Sequence, residues 1–446
     1  MDSTLDLLDL LRTERTQLLE ETGSDANIGE ALEKILAQHP TASPERDAAF
    51  EALYLSVDPI VAAADADVSR EPNDLDAILA AAPANLPALG AVATGDNLAD
   101  RMLGAWQGRI AGCILGKPVE GFSKEEIDQV LASVGETTIT DFVPEPTVIP
   151  RWAELKDDVK MGCLRGNIRR AEFDDDINYT VLSLLVMESK GRDFTPVDVM
   201  WAWLKLLPAG QTYTAERVAY RNFLNNVLPP ESACVRNPYR EWIGAQIRTD
   251  FFGYANPGNP RAAAAMAWRD ACISHRKNGI YGAMFSAAAN AAAFASTDIE
   301  QAVREGIAVL PEQSRLAIAL NEVIAWWKED GTDWPRCHAR ILKRHDGMSW
   351  VHTINNAAIT VMALLFGGGD LGRTISIAVH AGLDTDCNGA TAGSIVGALR
   401  GARALPAKWI APFNDTVECS LASYGTNKIT DLATRSVKIA RQGGAA

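Results

Sequence analysis

Two short acidic segments carry the residue types that could do chemistry in this sequence. Asp384 and Asp386 stand two residues apart before one apolar helical pattern, and Asp174, Asp175 and Asp176 stand in succession before another. In a loop that enters a helix, carboxylates at this spacing can converge on one point. For one such segment alone, an aspartate that caps the helix is the simpler interpretation. Two segments of mutually repelling carboxylates are better explained by a hard divalent cation, and oxygen ligands favour Mg²⁺ or Mn²⁺.

Glycines at every fourth position mark the helical pattern after Asp386 and a second one near residue 110. The two sets are Gly389, Gly393, Gly397 and Gly401, and Gly104, Gly108, Gly112 and Gly116. Each glycine within a helix costs about 1 kcal/mol relative to alanine, so a face of bare backbone predicts close packing against another element. The two faces could pack against each other, or each could meet a different helix. Pro118 ends the earlier helix, and Glu120 follows at its end, where a glutamate by itself is usually solvated.

The composition sets broad limits on partners and compartment. The 446 residues include 42 basic and 57 acidic side chains, which gives a net charge of −15. We therefore expect neither nucleic acid nor a membrane surface as a partner, since both require a basic surface. The seven cysteines form no CxxC pair, and the N-terminal segment carries aspartates where a secretory signal needs basic residues. These features predict a cytoplasmic protein with a small ligand, and they leave its oligomeric state open.

The elements that must position the acidic residues are helices. Residues 1–81 show three or four amphipathic patterns, and the Pro-, Gly- and Ala-rich segment 82–97 predicts a linker with a border near residue 95. We thus expect an N-terminal helical extension over 1–95, a main domain over 96–446 and an irregular region over 127–172. Further helical patterns lie at 177–189, 196–206, 214–228, 262–275, 281–296, 299–308, 312–329, 335–344, 353–366, 371–381 and 387–401. No segment alternates with a period of two, so the predicted fold is all-α.

Three further polar residues are candidate substrate contacts. Asn256 lies in the aromatic loop 248–263, which is rich in Pro, Gly and Asn, and His275 and Asn278 lie at a predicted helix end. Loops between rigid helices often contact ligands. A plain connector and a histidine that caps a helix would explain the same residues equally well.

Three separated segments together resemble the ADP-ribosylglycohydrolase family. GRIAGCILGKPVEG is similar to the family's opening motif G-x-x-x-G-D-x-x-G-x-x-x-E, FDDDINYT to its motif T-D-D-T, and GLDTDCNGATAGSIVGA to its motif G-G-D-T-D-T-x-A-x-x-x-G-x-x-x-G. The three occur in the family's order between about residues 101 and 435 and leave the N-terminal segment outside. The resemblance implies a multi-helix bundle in a divergent member of the family, to which the N-terminal helices are an addition.

The resemblance also implies two Mg²⁺ or Mn²⁺ ions held by the two acidic motifs. The positions that match the family's ligands are Asp174, Asp175, Asp176, Asp384, Asp386 and Cys387. Asp174 and Cys387 stand where the family has threonine, Cys113 stands where the opening motif has aspartate, and Leu383 also departs from the pattern. A thiol in place of a hydroxyl softens the second metal site, and the added charge of Asp174 can compensate.

The implied activity is hydrolysis of a glycosidic bond at the anomeric carbon of a ribose, in an ADP-ribosylated substrate. The resemblance implies that the aspartates, with Asp176 and Asp386 as catalytic residues, orient the sugar and activate water. Glu120 would handle a proton or gate the site. Two alternatives stay open, namely a hydrolase of a small ribosylated metabolite or nucleoside, and a non-catalytic ADP-ribose-binding or regulatory protein. The retained aspartates and Glu120 favour catalysis, and the sequence does not identify the leaving group.

Overall fold

The computed structural model describes residues 5–83, 89–145 and 157–443, whose regular secondary structure is nearly all helical, as predicted. The N-terminal helices are α1 (Leu7–Thr22), α2 (Ile28–Gln38), α3 (Pro44–Ala66) and α4 (Leu75–Ala81). The main body consists of α5 (Gly95–Gly116), α6 (Lys124–Ala132), α7 (Asp157–Gly162), α8 (Asp175–Lys190), α9 (Pro196–Leu206), α10 (Thr214–Leu224), α11 (Gly244–Arg248), α12 (Asp250–Tyr254), α13 (Pro260–Ala271), α14 (Lys277–Ala293), α15 (Ile299–Ile307), α16 (Arg315–Asp330), α17 (Trp334–Arg344), α18 (Thr353–Gly367), α19 (Leu371–His380), α20 (Thr385–Arg400), α21 (Ala407–Ile410) and α22 (Ile429–Gln442). Within these described ranges the only sheet is one antiparallel pair, β1 (Thr416–Glu418) with β2 (Thr426–Lys428).

The prediction of irregular structure was wrong in two places where short helices form. The region 127–172 overlaps α6, which starts with a capping box, and it contains α7. The loop 248–263 contains α12. Helices of five to nine residues make too few turns to show a clear hydrophobic period in the sequence. Residues 146–156 of the predicted irregular region and 84–88 of the predicted linker lie outside the described residues.

Helices α5 and α20 form the centre of the main body because their glycine faces meet each other. A Cβ on Gly108 would overlap the carbonyl oxygen of Gly393, and a Cβ on Gly393 would overlap the carbonyl oxygen of Gly108. The same relation holds between Gly104 and Gly397 and between Gly112 and Gly389. The sequence left open whether the two glycine faces pack against each other or against different helices. The structure confirms that they pack against each other. This contact fixes the N-terminal end of α20 beside the C-terminal end of α5.

The N-terminal helices bury their apolar faces against the main body. Leu10, Leu18 and Phe50 belong to an apolar cluster that also includes Ala215 and Val218 of α10. Buried or partly buried ion pairs also connect the N-terminal segment to the main body. They join Arg240 to Glu14 and Glu21, Arg276 to Asp65, and Arg315 to Glu71. The main body thus carries buried and partly buried arginines whose partners come from the N-terminal segment. Across the described part of the chain, no helix is both long and apolar enough to cross a membrane.

Candidate metal centre

The structure brings the two acidic segments together at the N-terminal ends of α8 and α20. Asp174 caps α8, because its carboxylate accepts a hydrogen bond of 3.0 Å from the backbone N–H of Asp176. Asp384 precedes α20, and the Thr385 hydroxyl ties that helix to α5 by donating to the Gly116 carbonyl at 2.8 Å. The capping interpretation therefore accounts for Asp174. It does not account for Asp384, whose side chain makes no capping hydrogen bond.

Glu120 reaches the same place because the chain after α5 pairs with the loop before α20. The Gly121 N–H donates to the Leu383 carbonyl at 2.9 Å, and the Leu383 N–H donates to the Phe122 carbonyl at 3.1 Å. Leu383 has a φ of 65°, a left-handed conformation that favours glycine, at the position where the sequence departs from the family pattern. The pairing sets the Glu120 side chain next to Asp384.

Carboxylate and thiol side chains form three groups in which one potential ligand atom from each residue lies within 4.8 Å of the others. The groups are Glu120 with Asp384 and Asp386, Asp176 with Asp386 and Cys387, and Cys113 with Asp174 and Asp176. Each group combines two of the three sequence segments, whereas the sequence predicted one ligand set for each acidic segment. Asp175 lies outside the three groups, although it is half-buried and lines the same cavity.

The cluster contains buried oxygen atoms that need a partner. Asp176 Oδ2, Asp384 Oδ1 and Asp386 Oδ1 are buried and accept no hydrogen bond from the described residues. An unsatisfied buried acceptor costs about 1–3 kcal/mol, and more when it is charged. Divalent cations bound between these side chains would satisfy such oxygens, so the residues present fit hard metal ions. The oxygen-only group of Glu120, Asp384 and Asp386 fits best, because a thiol is a soft ligand.

Burial and mutual repulsion raise the pKa of the clustered carboxyl groups. Burial raises the pKa of Asp384 well above its ordinary value, and the charges of Asp386 and Glu120 add to the effect. Burial and then the Asp174 charge raise the pKa of Asp386 to about 6. The pKa of Asp175 is also raised by burial and by its acidic neighbours. The carboxylates therefore repel one another as the sequence predicted, and a cation would reverse the effect.

Two buried cationic side chains hold the acidic residues in place, and sequence reasoning missed both. Lys117 Nζ lies 3.1 Å from Asp174 Oδ2. Arg109 lies 3.1 Å from Asp176 Oδ1 and 2.7 Å from Asp250 Oδ2, with no exposed surface. The available signal was their position in the glycine-rich segment that ends at Glu120, since a basic residue within a close-packed helix needs a buried acidic partner.

The Cys387 thiol lies where the resemblance placed a metal ligand, but its chemistry suits a hard cation poorly. Burial, together with the charges of Asp176 and Asp384, raises the pKa of this thiol well above its ordinary value. A neutral thiol donates a hydrogen bond more readily than it binds Mg²⁺ or Mn²⁺. All seven cysteines are free thiols.

The acidic cluster lines a cavity of about 440 Å³. Its lining also includes the aromatic residues Phe173, Tyr213, Trp242 and Trp350 and the carboxylate of Glu216. A larger cavity of about 590 Å³ lies between Trp334 and Trp409 and contains none of the clustered acidic residues. The smaller cavity is therefore the candidate site, because it alone of the two joins space for a ligand to reactive groups.

The three predicted substrate contacts do not line this cavity. Asn256 donates to the Phe252 carbonyl at 2.8 Å, and Asn278 donates to Glu241 at 2.9 Å. His275 is fully buried, and its Nε2 lies 4.0 Å from Oε1 of Glu216. The structure thus corrects the expectation for Asn256, His275 and Asn278, because polar side chains that turn into the interior take protein partners. Glu216, the neighbour of His275, lines the cavity instead. The sequence gives no signal for it, because an acidic residue in the first turn of a helix is common without a functional role.

Comparison with known proteins matches most of the chain to one protein family. The ADP-ribosylglycohydrolase family model matches residues 94–444. A solved structure of an ADP-ribosylglycohydrolase-related protein complex is similar over 78% of this chain and 99% of that chain, with 19% sequence identity and a TM-score of 0.49. The search of curated proteins found no match.

Proposed function

The chain belongs to the ADP-ribosylglycohydrolase family, and we propose that it is a metal-dependent hydrolase of the glycosidic bond at the anomeric carbon of a ribosyl group. The observation that supports this function is a set of three buried carboxylate oxygens, on Asp176, Asp384 and Asp386, that accept no hydrogen bond from the described residues, in a cluster whose two acidic segments both line one cavity. The family description indicates an ADP-ribosyl substrate. The chemistry at the ribose is the same for a smaller riboside, because both present the same sugar hydroxyl groups.

We assign the ligands of two Mg²⁺ or Mn²⁺ ions to the clustered residues. They are Asp174, Asp175, Asp176, Asp384 and Asp386, with Glu120 in reach of Asp384 and Asp386. Cys387, the sixth position implied by the resemblance, lies beside Asp176 and Asp386 as a neutral thiol and is the weakest candidate ligand. When bound, such ions supply positive charge that orients the sugar hydroxyl groups and lowers the pKa of water. Arg109 pairs with Oδ1 of Asp176, and Lys117 pairs with Oδ2 of Asp174, so these two cationic side chains hold the aspartates in position.

Glu120 is our candidate for proton transfer because it is the exposed member of its group. Asp384 and Asp386 in the same group are buried. In the proposed reaction water adds to C1 of the ribose while the bond from C1 to the leaving group breaks. Glu120 takes the proton that the water loses and returns it to the leaving group, which balances the reaction.

We further propose that residues 1–95 are a helical extension of a catalytic domain over 96–446, in a reducing, cytoplasmic environment. The family match begins at residue 94, and α5 begins at Gly95. Seven free thiols, six of them buried, suit a reducing compartment.

The metal assignment is tested by replacing single carboxylates with amides. Asp384→Asn and Asp386→Asn should weaken Mn²⁺ binding at least about tenfold in calorimetry and remove the rise in melting temperature that Mn²⁺ causes. The metal-free variants should melt no lower than the wild type, because each change removes a repelled charge. Asp333→Asn, at an exposed helix start outside the cavity lining and the three ligand groups, is the matched control. Absence of Mn²⁺ or Mg²⁺ binding by the wild type at millimolar concentration would refute the assignment.

The catalytic assignment is tested with Glu120→Gln on ADP-ribosylated protein and on small ribosides. The amide keeps the shape of the side chain, so metal-induced stabilisation should persist while hydrolysis falls by about 10²–10⁴-fold. Equal rates in the variant and the wild type would remove Glu120 from the mechanism. If the wild type bound ADP-ribose tightly and cleaved no riboside with Mg²⁺ or Mn²⁺, the non-catalytic binding function would replace the hydrolase.

A further inference from the structure

The cavity with the acidic cluster also carries aromatic side chains that the proposed reaction at the ribose does not use. Tyr213, Trp242 and Trp350 line it. Tyr213 is 43% exposed and Trp350 is 42% exposed, although large aromatic side chains are usually covered. Exposed rings in a cavity provide flat surfaces on which a planar heterocycle stacks.

Glu216 supplies a fixed hydrogen-bonding group in the same lining. Arg248 donates to its Oε1 at 2.6 Å, and Arg248 is itself held by Asp270 and by Ser274 at 2.8 Å. Gly244 makes room for this carboxylate, because a Cβ there would overlap it. A carboxylate held on one side by a buried arginine is suited to accept an N–H group of a ligand on its other side.

The lining offers phosphate groups no unpaired cationic side chain among the described residues. Among the described lining residues, the acidic ones are Glu120, Asp174, Asp175, Glu216, Asp384 and Asp386, and the basic one is Lys117. Lys117 is already paired with Asp174 and donates to the Phe173 carbonyl. Arg248, which does not line the cavity, already pairs with Glu216. Two divalent cations would therefore bring the summed charge only to about zero, and no cationic side chain of the described lining would be left to neutralise a phosphate group.

We infer that the substrate is an N-riboside of the nucleoside type, whose leaving group is an uncharged planar nitrogen heterocycle without phosphate. The ribose lies at the acidic cluster, the heterocycle stacks on Tyr213 and Trp350, and Glu216 accepts one of its N–H groups. In the reaction the bond from C1 to nitrogen breaks, a bond from C1 to the water oxygen forms, and a water proton ends on the released heterocycle. The inference rests on the proposed function, because that function places the ribose.

The first test measures affinity for ligands that differ in phosphate. Calorimetry on the Mn²⁺-loaded wild type should give nucleosides such as inosine, adenosine and uridine at least tenfold lower Kd than their 5′-monophosphates and ADP-ribose. Tighter binding of ADP-ribose or of the monophosphates would overturn the inference.

Hydrolysis rates distinguish failure of this inference from failure of the proposed hydrolase function. Cleavage of ADP-ribosylated protein with a higher kcat/KM than of any nucleoside overturns the inference and keeps the proposed function. Tighter nucleoside binding with no cleavage of any riboside refutes the proposed hydrolase and, with it, the assignment of a leaving group, and leaves only the ligand preference.

The second test uses paired variants, with ribose as the reference ligand. Trp350→Ala should raise the Kd of nucleosides by about 5- to 150-fold and leave that of ribose unchanged, because it removes only the stacking surface. Trp201→Ala is its control, since Trp201 is 61% exposed and does not line the cavity. An equal change for ribose and nucleosides, or none for either, would overturn the inference.

Glu216→Gln is paired with Asp270→Asn, because both carboxylates bind Arg248 and only Glu216 lines the cavity. Glu216→Gln should change the order of affinity among inosine, adenosine and uridine, since an amide replaces a pure acceptor. Asp270→Asn should preserve the wild-type order. The same order in the wild type and both variants would exclude contact between Glu216 and the heterocycle.

Discussion

At the scale of single residues, the acidic cluster combines aspartates that the protein holds in place with carboxylate oxygens that have no protein partner. Asp176 Oδ1 pairs with Arg109, while Asp176 Oδ2 accepts no hydrogen bond from the described residues. The backbone N–H of Asp384 donates to Asn356 at 3.2 Å and holds the loop, and Oδ1 of Asp384 likewise accepts no hydrogen bond from the described part of the chain. Side chains held in this way keep their geometry whether or not a ligand is bound, so little reorganisation accompanies binding.

A buried histidine behind the acidic loop provides a residue-scale prediction about pH. His338 is 4% exposed, and burial lowers its pKa from 6.5 to about 4. It hydrogen-bonds the backbone of Ala381, and Lys124, Glu125 and His380 are the charged groups that act on it. The folded chain keeps the imidazole neutral, so protons bind preferentially to the unfolded chain below pH 6.5. The stability from this group is therefore present above pH 6.5 and is lost as the pH falls to about 4.

We expect His338→Gln to reduce the pH dependence of stability by up to about 3 kcal/mol between pH 7 and pH 4. Urea denaturation of the wild type and the variant at half-unit intervals measures this difference. Parallel curves for the two proteins across the interval would show that the histidine titrates normally in the folded chain.

At the scale of elements, the close contact of α5 and α20 connects the glycine pattern to the geometry of the candidate site. The contact runs from Gly104 to Gly116 along α5, and at Gly116 a Cβ would overlap the backbone of Thr385 and Asp386. The spacing between the helix backbones therefore sets where Asp386 lies relative to Glu120. A change that separates the two helices should weaken the metal centre as well as the fold.

Gly108→Ala and Gly393→Ala should each lower the free energy of unfolding by about 1–3 kcal/mol or more, because the added methyl group overlaps a backbone carbonyl of the other helix. They should also weaken Mn²⁺ binding. Gly210→Ala is the control, since nothing lies within 4 Å of a Cβ at that position. Chemical denaturation and calorimetry give both quantities. Stabilities equal to that of Gly210→Ala would mean that the helices can separate without cost.

At the scale of the whole molecule, the N-terminal helices pack against the main body and supply partners for its buried charged and apolar side chains. Arg240 is 1% exposed and pairs with Glu14 and Glu21 from α1. Trp242, two residues later, packs against the apolar cluster of the N-terminal helices and also lines the candidate site. The extension therefore supports one side of the cavity from behind.

Arg240→Met should lower the free energy of unfolding by about 3–5 kcal/mol, because it leaves buried carboxylates without a partner. Arg15→Met removes a more exposed ion pair with Asp25 in the same helices and should cost at most about 1 kcal/mol. Urea denaturation should show a single transition in the wild type and both variants. A separate early transition for the N-terminal helices would show that they are an independent domain.

The sequence by itself determined the features that depend on neighbouring residues. Helices such as α9 and α18 follow the predicted bounds closely, because hydrophobic periodicity over ten or more residues is a local property. The glycine faces and the two acidic helix entries were also visible, since each depends on spacing within a few turns. The shorter helices α7 and α12 were not, because they are held by tertiary contacts more than by their own pattern.

Only the tertiary structure decided which distant residues meet. It divided the acidic residues into groups that cross the sequence segments, and it turned Asn256, His275 and Asn278 into the interior. It also brought Glu216 and Trp350 into the cavity from segments that carry no motif. The physical reason is that helical periodicity is encoded within a few turns of chain, whereas the position of a side chain in a site depends on how helices far apart in sequence pack against one another.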